Sequence, residues 1–397
     1  MIKNCKIYLI IKIIYSHTDN LLNRLIIKTV GGSMMNQGYF LGSSGKNGFF
    51  SCFSQLTPKI EGQYTFIIKG GPGTGKSSMM KKIASEIEDT DIECERIFCS
   101  SDPSSLDGII IPSLRVSIAD GTSPHTIDPD YPGATGEIIN LGDCWDKKLL
   151  FANKEKIIEL TDNNKACHQR SRRFIESAFS IFGDGEKIFR DCIDNGRVIR
   201  YASRLAKRYF RKPDGRIGLE KIRLLDAITP KGYLFLADTV NGMCDTKIVF
   251  DDSFGVASSV IIDRLRSYAL ASGYSVISSP SVSREGAIRH IIIKELSLGF
   301  FTSDKLCDLG IEPTRTVSLR RFYSPDGLTA HRARLSFSVK ASKELLNEAV
   351  CALKIAKDIH DELEAVYIKA MDFGKTDKIT KALTERIRQS DWYPDEY

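Results

Sequence analysis

Gly70-Gly71-Pro72-Gly73-Thr74-Gly75-Lys76-Ser77 fits the spacing G-x-x-x-x-G-K-[ST]. Small residues let such a backbone turn tightly and aim its N–H groups at phosphate oxygens. A helix starting at Lys76 adds the positive end of its dipole. Lys76 is then placed to reach the β- and γ-phosphates of a nucleotide, and Ser77 to ligate the Mg²⁺ that bridges them. The flanks supply what this chemistry needs. Tyr64–Lys69 is a short apolar run bounded by glycine, which predicts a buried strand entering the loop. Lys76 to about Glu88 predicts a helix leaving it, with Met79, Met80, Ile83 and Ile87 on one face. The phosphate cradle is expected to run from Gly70 to Ser78.

A second acid is needed on the metal side. Asp120 ends the apolar run Arg115–Ala119, at the carboxyl end of an expected strand, where open α/β sheets bind ligands. It is the first candidate, with Ser77, for the metal; its alternative is a turn aspartate capping Gly121-Thr122. Asp102 follows the expected strand Glu93–Cys99 and is the runner-up, able instead to orient water or a substrate hydroxyl. Asp107 is third. His125 and Asp143 share the Gly-, Pro- and Asp-rich stretch 120–143 and are weaker candidates. The expected catalytic set is Lys76, Asp120 and Asp102.

Several stretches around the loop carry a resemblance. They are Gly38-Tyr-Phe-Leu-Gly42, Cys99-Ser-Ser-Asp-Pro-Ser-Ser-Leu-Asp-Gly108, Ala119-Asp-Gly-Thr-Ser-Pro-His125, Asp128-Pro-Asp-Tyr-Pro-Gly133 and Ile138-Ile-Asn-Leu-Gly-Asp143. With the glycine loop, they are similar to an uncharacterised family of tandem P-loop ATPases of spore-forming, Gram-positive bacteria. The resemblance covers about residues 36–385 and is specific in the first half. It implies a cytoplasmic ATP-binding protein with two P-loop-like domains, and it implies no substrate.

An internal repeat points the same way. Leu41–Phe49 matches Leu225–Tyr233 at an offset of 184, and Ile109–Leu114 matches Ile291–Leu296 at 182. Asn153-Lys154-Glu155 and Phe182-Gly183 resemble Ser342-Lys343-Glu344 and Phe373-Gly374, at 189 and 191. The expected fold is α/β: tandem duplicated P-loop NTPase-like domains with mostly parallel, helix-flanked sheets, the second copy degenerate. An offset of 180 sets Gly255 under Gly75, Val256 under Lys76 and Ala257 under Ser77, and Asp251 and Asp252 under Gly71 and Pro72. At the offset of 182 Thr302 falls under Asp120. The second copy thus lacks the lysine and the hydroxyl, and two carboxylates would face the phosphates. The expected domains are 35–195 and 223–390, joined by a basic helical linker, 196–222.

In that linker Arg197, Arg200, Arg204, Lys207, Arg208 and Arg211 share a broad helical face. It reads as a solvated or salt-bridged face, as a site for an anionic partner such as nucleic acid, or as the source of an arginine finger. The chain has 397 residues, 42% hydrophobic and 27% charged, which excludes a disordered or collagen-like chain. No stretch approaches the roughly 18 apolar residues of a membrane span. The ten cysteines, Cys5 to Cys351, include no C-x₂-C pair, and they read as the reduced thiols of a cytosolic protein. Residues 1–33 carry Lys3, Lys6, Lys12, Arg24 and Lys28 against Asp19, most of the net charge of +6. Residues 1–34 are expected to be an extension ahead of a start at Met34 or Met35. The leading expectation is a Mg²⁺-dependent ATPase with one competent site. Its rivals are a phosphotransferase acting on a small molecule and a nucleotide-dependent switch with negligible turnover.

Overall fold

The computed structural model describes residues 38–57, 63–122, 126–213 and 215–389. All belong to one compact unit that begins at Gln37. The expected extension 1–34 and His125 lie outside the described residues.

The first half runs β1 (Gly38–Phe40), a hairpin of β2 (Gly42–Gly45) and β3 (Gly48–Ser51), then β4 (Tyr64–Lys69) and helix α1 (Lys76–Glu88). Strands β5 (Glu95–Phe98), β6 (Leu106–Ile111), β7 (Val116–Asp120) and β8 (Gly136–Asn140) follow. Helices α2 (Lys147–Ala152), α3 (Lys154–Cys192) and α4 (Asn195–Tyr209) end it. The second half has β9 (Glu220–Ile222), a hairpin of β10 (Asp226–Thr229) and β11 (Gly232–Phe235), an additional helix α5 (Ala237–Met243), β12 (Thr246–Asp251) and α6 (Val256–Ala271). Then come β13 (Val276–Pro280), β14 (Ile288–Ile293), β15 (Leu298–Ser303), β16 (Arg315–Ser318), α7 (Pro325–Ala330), α8 (Arg332–Ile368) and α9 (Phe373–Gln389).

The two six-stranded sheets have the same order and the same directions: β1-β5-β6-β7-β4-β8 and β9-β13-β14-β15-β12-β16. Each is mostly parallel; β6 and β14 alone run against their neighbours. The chain allows nothing else there. A parallel crossover needs about a dozen residues or more, and only Pro112–Arg115 separate β6 from β7. Arg115 (φ 54°) and Ser297 (φ 46°) make equivalent left-handed reversals at these two turns. The matches at offsets of 184 and 182 fall on equivalent elements, β2–β3 with β10–β11 and β6 with β14. The later two do not. Asn153 precedes α3 whereas Ser342 lies inside α8, and Phe182 lies inside α3 whereas Phe373 opens α9.

The halves exchange helices. Helix α1 buries Met79, Met80, Ile83 and Ile87, the face its periodicity predicts, in a cluster with Leu383 and Ile387 of α9. Reciprocally, Val198, Tyr201, Ala202 and Leu205 of α4, inside the basic stretch 196–222, pack with Ile261, Ile262 and Leu265 of α6. Each half's last helix therefore covers the other half's sheet. Each fully buried aliphatic side chain in these clusters contributes about 1.5–3 kcal/mol. The long helices α3 and α8 carry the chain across and lie antiparallel. Asn164 Nδ2 donates to the Ala356 carbonyl (2.7 Å) and Ser342 Oγ to that of Ala178 (2.8 Å). Buried small residues, among them Ser171, Ala178, Ala349 and Ala352, let the two backbones approach. The sheets also meet edge to edge, where Phe40 and Leu224 exchange backbone hydrogen bonds of 2.9 Å each. Beside that junction Glu95 accepts from Arg223 (2.8 Å) and Lys221 (2.7 Å).

Candidate functional site

Strand β4 is buried along Tyr64–Ile68 and delivers the chain to the glycine loop at the sheet's carboxyl end. The loop closes on Gly75, which sits at φ 87° as the cap of α1, and no side chain caps that helix. Its first-turn N–H groups are thus the natural donors for an anion. Thr74 Oγ1 donates to the Gly71 carbonyl (2.9 Å) and braces the turn. Lys76 folds back over the loop, and its ammonium donates to the carbonyls of Gly70 (2.9 Å) and Gly71 (2.8 Å).

Asp120 ends β7, the strand beside β4, with Ile68 and Asp120 paired in register. Its carboxylate stands 3.7 Å from the Lys76 ammonium and accepts from the Thr122 amide (2.9 Å) and hydroxyl (2.6 Å). Asp120 therefore has the pose of the turn aspartate that caps Gly121-Thr122, and the same carboxylate faces Lys76. Ser77 Oγ accepts from the Leu106 amide (2.9 Å), which ties the first turn of α1 to β6 and leaves a second lone pair. Ser78 is exposed.

The other two acids differ sharply in environment. Burial would raise Asp102, but hydrogen bonds from Ser104 and Ser105, with the Lys357 ammonium at 3.5 Å, hold its carboxyl below the usual range. Asp107 is pushed up to about 7 by burial and by the neighbouring Asp120 charge, although Lys76 opposes this. Asp143 is exposed in the turn after β8.

The helix exchange brings residues to the loop that sequence reading missed. The Gly73 amide donates to Glu364 Oε1 of α8 at 3.2 Å. A hydrogen bond from His360 (3.5 Å away), the Gly73 amide and the Lys357 charge keep the Glu364 carboxyl below its ordinary range despite partial burial. Gly73 has φ 67°, and a Cβ there would lie 2.8 Å from the Glu364 carbonyl. A Cβ on Gly71 would lie 3.0 Å from the Tyr367 ring, which packs against Trp145 at 5.8 Å between centroids. Close approach of the α8 backbone requires glycine at Gly73, whereas a Cβ at Gly71 would press on the Tyr367 ring. Lys357, Glu364 and Tyr367 lie nearly three hundred residues from the loop, and nothing local in the sequence links them to it.

The equivalent place in the second half is filled. Phe250 pairs with Thr302 as Ile68 pairs with Asp120, and Gly255 (φ 68°) caps α6 as Gly75 caps α1. Val256 and Ala257 stand where Lys76 and Ser77 stand. The connection is shorter than expected, residues 252–255 against 70–75, so Asp251 ends the strand and Asp252 alone turns inward. Buried Asp252 accepts from the Ser258 amide (2.8 Å) and the Tyr323 hydroxyl (2.8 Å), while the Ala257 amide donates to that hydroxyl (2.8 Å). Phe254 wedges between Phe182 (4.6 Å) and Phe189 (4.8 Å) of α3, where a Cβ on Gly185 would stand 2.1 Å away. Protein groups already use the first amides of α6.

Scans against protein-family models, curated proteins and solved structures found no match to this chain. No described helix is long and apolar enough to cross a membrane. Among the described residues no group of three or more His, Cys, Asp or Glu side chains is arranged to hold a metal ion. A cation held between a hydroxyl, a carboxylate, phosphate and water requires no such cluster.

Proposed function

We propose that the chain is a Mg²⁺-dependent, ATP-binding P-loop NTPase with one competent site, in its first half. The observation that carries this reading is the Gly70–Ser77 loop between β4 and α1, with the Lys76 ammonium 3.7 Å from Asp120 on the adjoining strand. The uncapped amides of α1 and the donor set Ser77–Asp120 fit a Mg-nucleotide. Mg²⁺ held there would neutralise charge on the transferred phosphoryl group. The chain's own part is positional. The amides of Gly73 to Lys76 receive phosphate oxygens, and Lys76 exchanges the Gly70 and Gly71 carbonyls for them. Asp120 fixes the acidic side of the site. Asp102, which braces the Ser104–Ser105 turn and faces Lys357, and Asp120 are the acids that would orient an attacking water.

The similarity of the two sheets supports a duplicated unit, and the plugged loop at Asp252–Gly255 supports a second copy that no longer binds nucleotide. Free thiols at every described cysteine support a reducing, cytoplasmic setting. A switch is favoured as a second reading by one contact. Phosphate entering the loop must displace Glu364, so occupancy is felt by α8 and, through it, by the other half. Phosphate release from Mg-ATP by wild type and Lys76→Ala protein tests the ATPase reading. Tight ATP binding with no release would select the switch, and release that requires an added acceptor would select the phosphotransferase.

A further inference from the structure

A depression of about 520 Å³ opens on the second half, between α4 and the turn that follows β16. Arg197, Arg200 and Arg204 reach it from α4, Arg315 from β16, and Arg321 from the turn. Among the described residues no carboxylate lines it. Among the described residues none of these five arginines has an acidic partner within 4.0 Å, whereas other arginines of the chain, such as Arg96, Arg266 and Arg289, are paired. Two of the guanidinium groups are also held in place. Arg321 lies over the rings of Tyr201 (4.8 Å) and Phe322 (4.9 Å), and Arg197 over Phe322 (5.9 Å). Those two rings are buried and pack on each other at 5.4 Å. Stacked guanidiniums lose little freedom on binding, and their planar forks match phosphate oxygens.

The other half shows that the fold does not require this charge. Arg315 pairs with Ile248 as Glu137 pairs with Phe66. Tyr323 bridges to Ile193 as Trp145 bridges to Met371, which places Asp143 where Arg321 stands. Two of the five arginine positions are thus acidic in the equivalent surface. There Glu137 is paired with Arg386 at 2.6 Å.

We propose that this depression is a binding site for a compact small molecule carrying two or more linked phosphates. Five unpaired cations converging on one hollow of ligand size, rather than strung along a surface, favour a compact polyanion over the backbone of a nucleic acid. The site is separate from the glycine loop, which lies against the other sheet.

The test uses inorganic tripolyphosphate as probe, titrated calorimetrically into Lys76→Ala protein so that the loop does not contribute. Binding should persist in this background, weaken as salt rises, and exceed that of inorganic monophosphate. Adding Arg315→Glu and Arg321→Asp, the residues of the equivalent surface, should weaken it by at least about tenfold. In wild-type protein tripolyphosphate should protect Arg200 and Arg321 from phenylglyoxal, read by mass spectrometry, a measurement that needs no variant to fold. No binding to the Lys76→Ala protein together with no protection would overturn the proposal. So would binding that ignores the two substitutions. A single-stranded oligonucleotide that binds and protects where tripolyphosphate does not would also overturn it, in favour of a nucleic-acid surface.

Discussion

Replacing Glu364 by glutamine should tighten ATP binding. In the structure the carboxylate of Glu364 accepts the Gly73 amide at 3.2 Å, standing where the loop would offer that N–H to a phosphate oxygen. Its environment keeps it ionised at neutral pH. Nucleotide must break this bond, and a hydrogen bond to a charged group contributes about 1.5–3 kcal/mol. A carboxylate left about 4 Å from a phosphate oxygen adds repulsion of about 1 kcal/mol in water and about 4 kcal/mol at an effective dielectric of 20. The side chain is 38% exposed, so the low end applies to both. Glutamine keeps the shape and a weaker acceptor but removes the charge. The expected gain is about 1–2 kcal/mol, roughly five- to thirtyfold in dissociation constant, and it should shrink at high salt. Fluorescent-nucleotide titrations of wild type and Glu364→Gln at two salt concentrations, with melting curves to confirm equal folding, read it directly. Equal or weaker binding by a folded Glu364→Gln protein would refute the claim that this helix competes with phosphate for the loop.

Asp120→Asn should lower phosphate release by orders of magnitude while ATP affinity falls modestly, because the backbone cradle and Lys76 survive; Asp102→Asn should cost less, and the reverse order would move the metal to Asp102. Asp107 has a folded-state value raised to about 7, so the native protein binds its proton more tightly than the unfolded chain. Its contribution to stability is full below about pH 4 and is lost as pH rises toward 7, by an amount on the order of a few kcal/mol. Asp107→Asn should therefore flatten the loss of urea stability between pH 5 and 7, and an unchanged slope would contradict the assignment. Phe254→Ala should destabilise the protein by about 3–5 kcal/mol in denaturant titrations without weakening ATP binding, since the ring fills the second half's loop.

The site's skeleton was legible because it is local. Glycines at fixed spacing, a bounded apolar run and a 3.6-residue period placed β4, the loop and α1, and the run before Asp120 placed β7. The helix exchange was not legible. The apolar faces of α4 and α9 fit either sheet, and nothing in their periodicity says which one they cover. For the same reason Lys357, Glu364 and Tyr367 read as an ordinary helix surface. The environment of Asp107 was not legible, because its nearness to Asp120 comes only from the antiparallel course of β6 beside β7. The shortened second loop was hidden by one fixed offset. Strands and helix start need different alignments there, and only their register separates Asp251 from Asp252.

The most direct measurement of a single working nucleotide site is thermal unfolding with and without millimolar Mg-ATP. If that concentration is about 100 times the dissociation constant, linkage gives about 2.7 kcal/mol, a shift of several degrees. Wild type and Val256→Ala should show the same shift, and Lys76→Ala should show none. An equal loss of the ATP response in Lys76→Ala and Val256→Ala, or a response that survives in Lys76→Ala, would contradict a single site built on the Gly70–Ser77 loop.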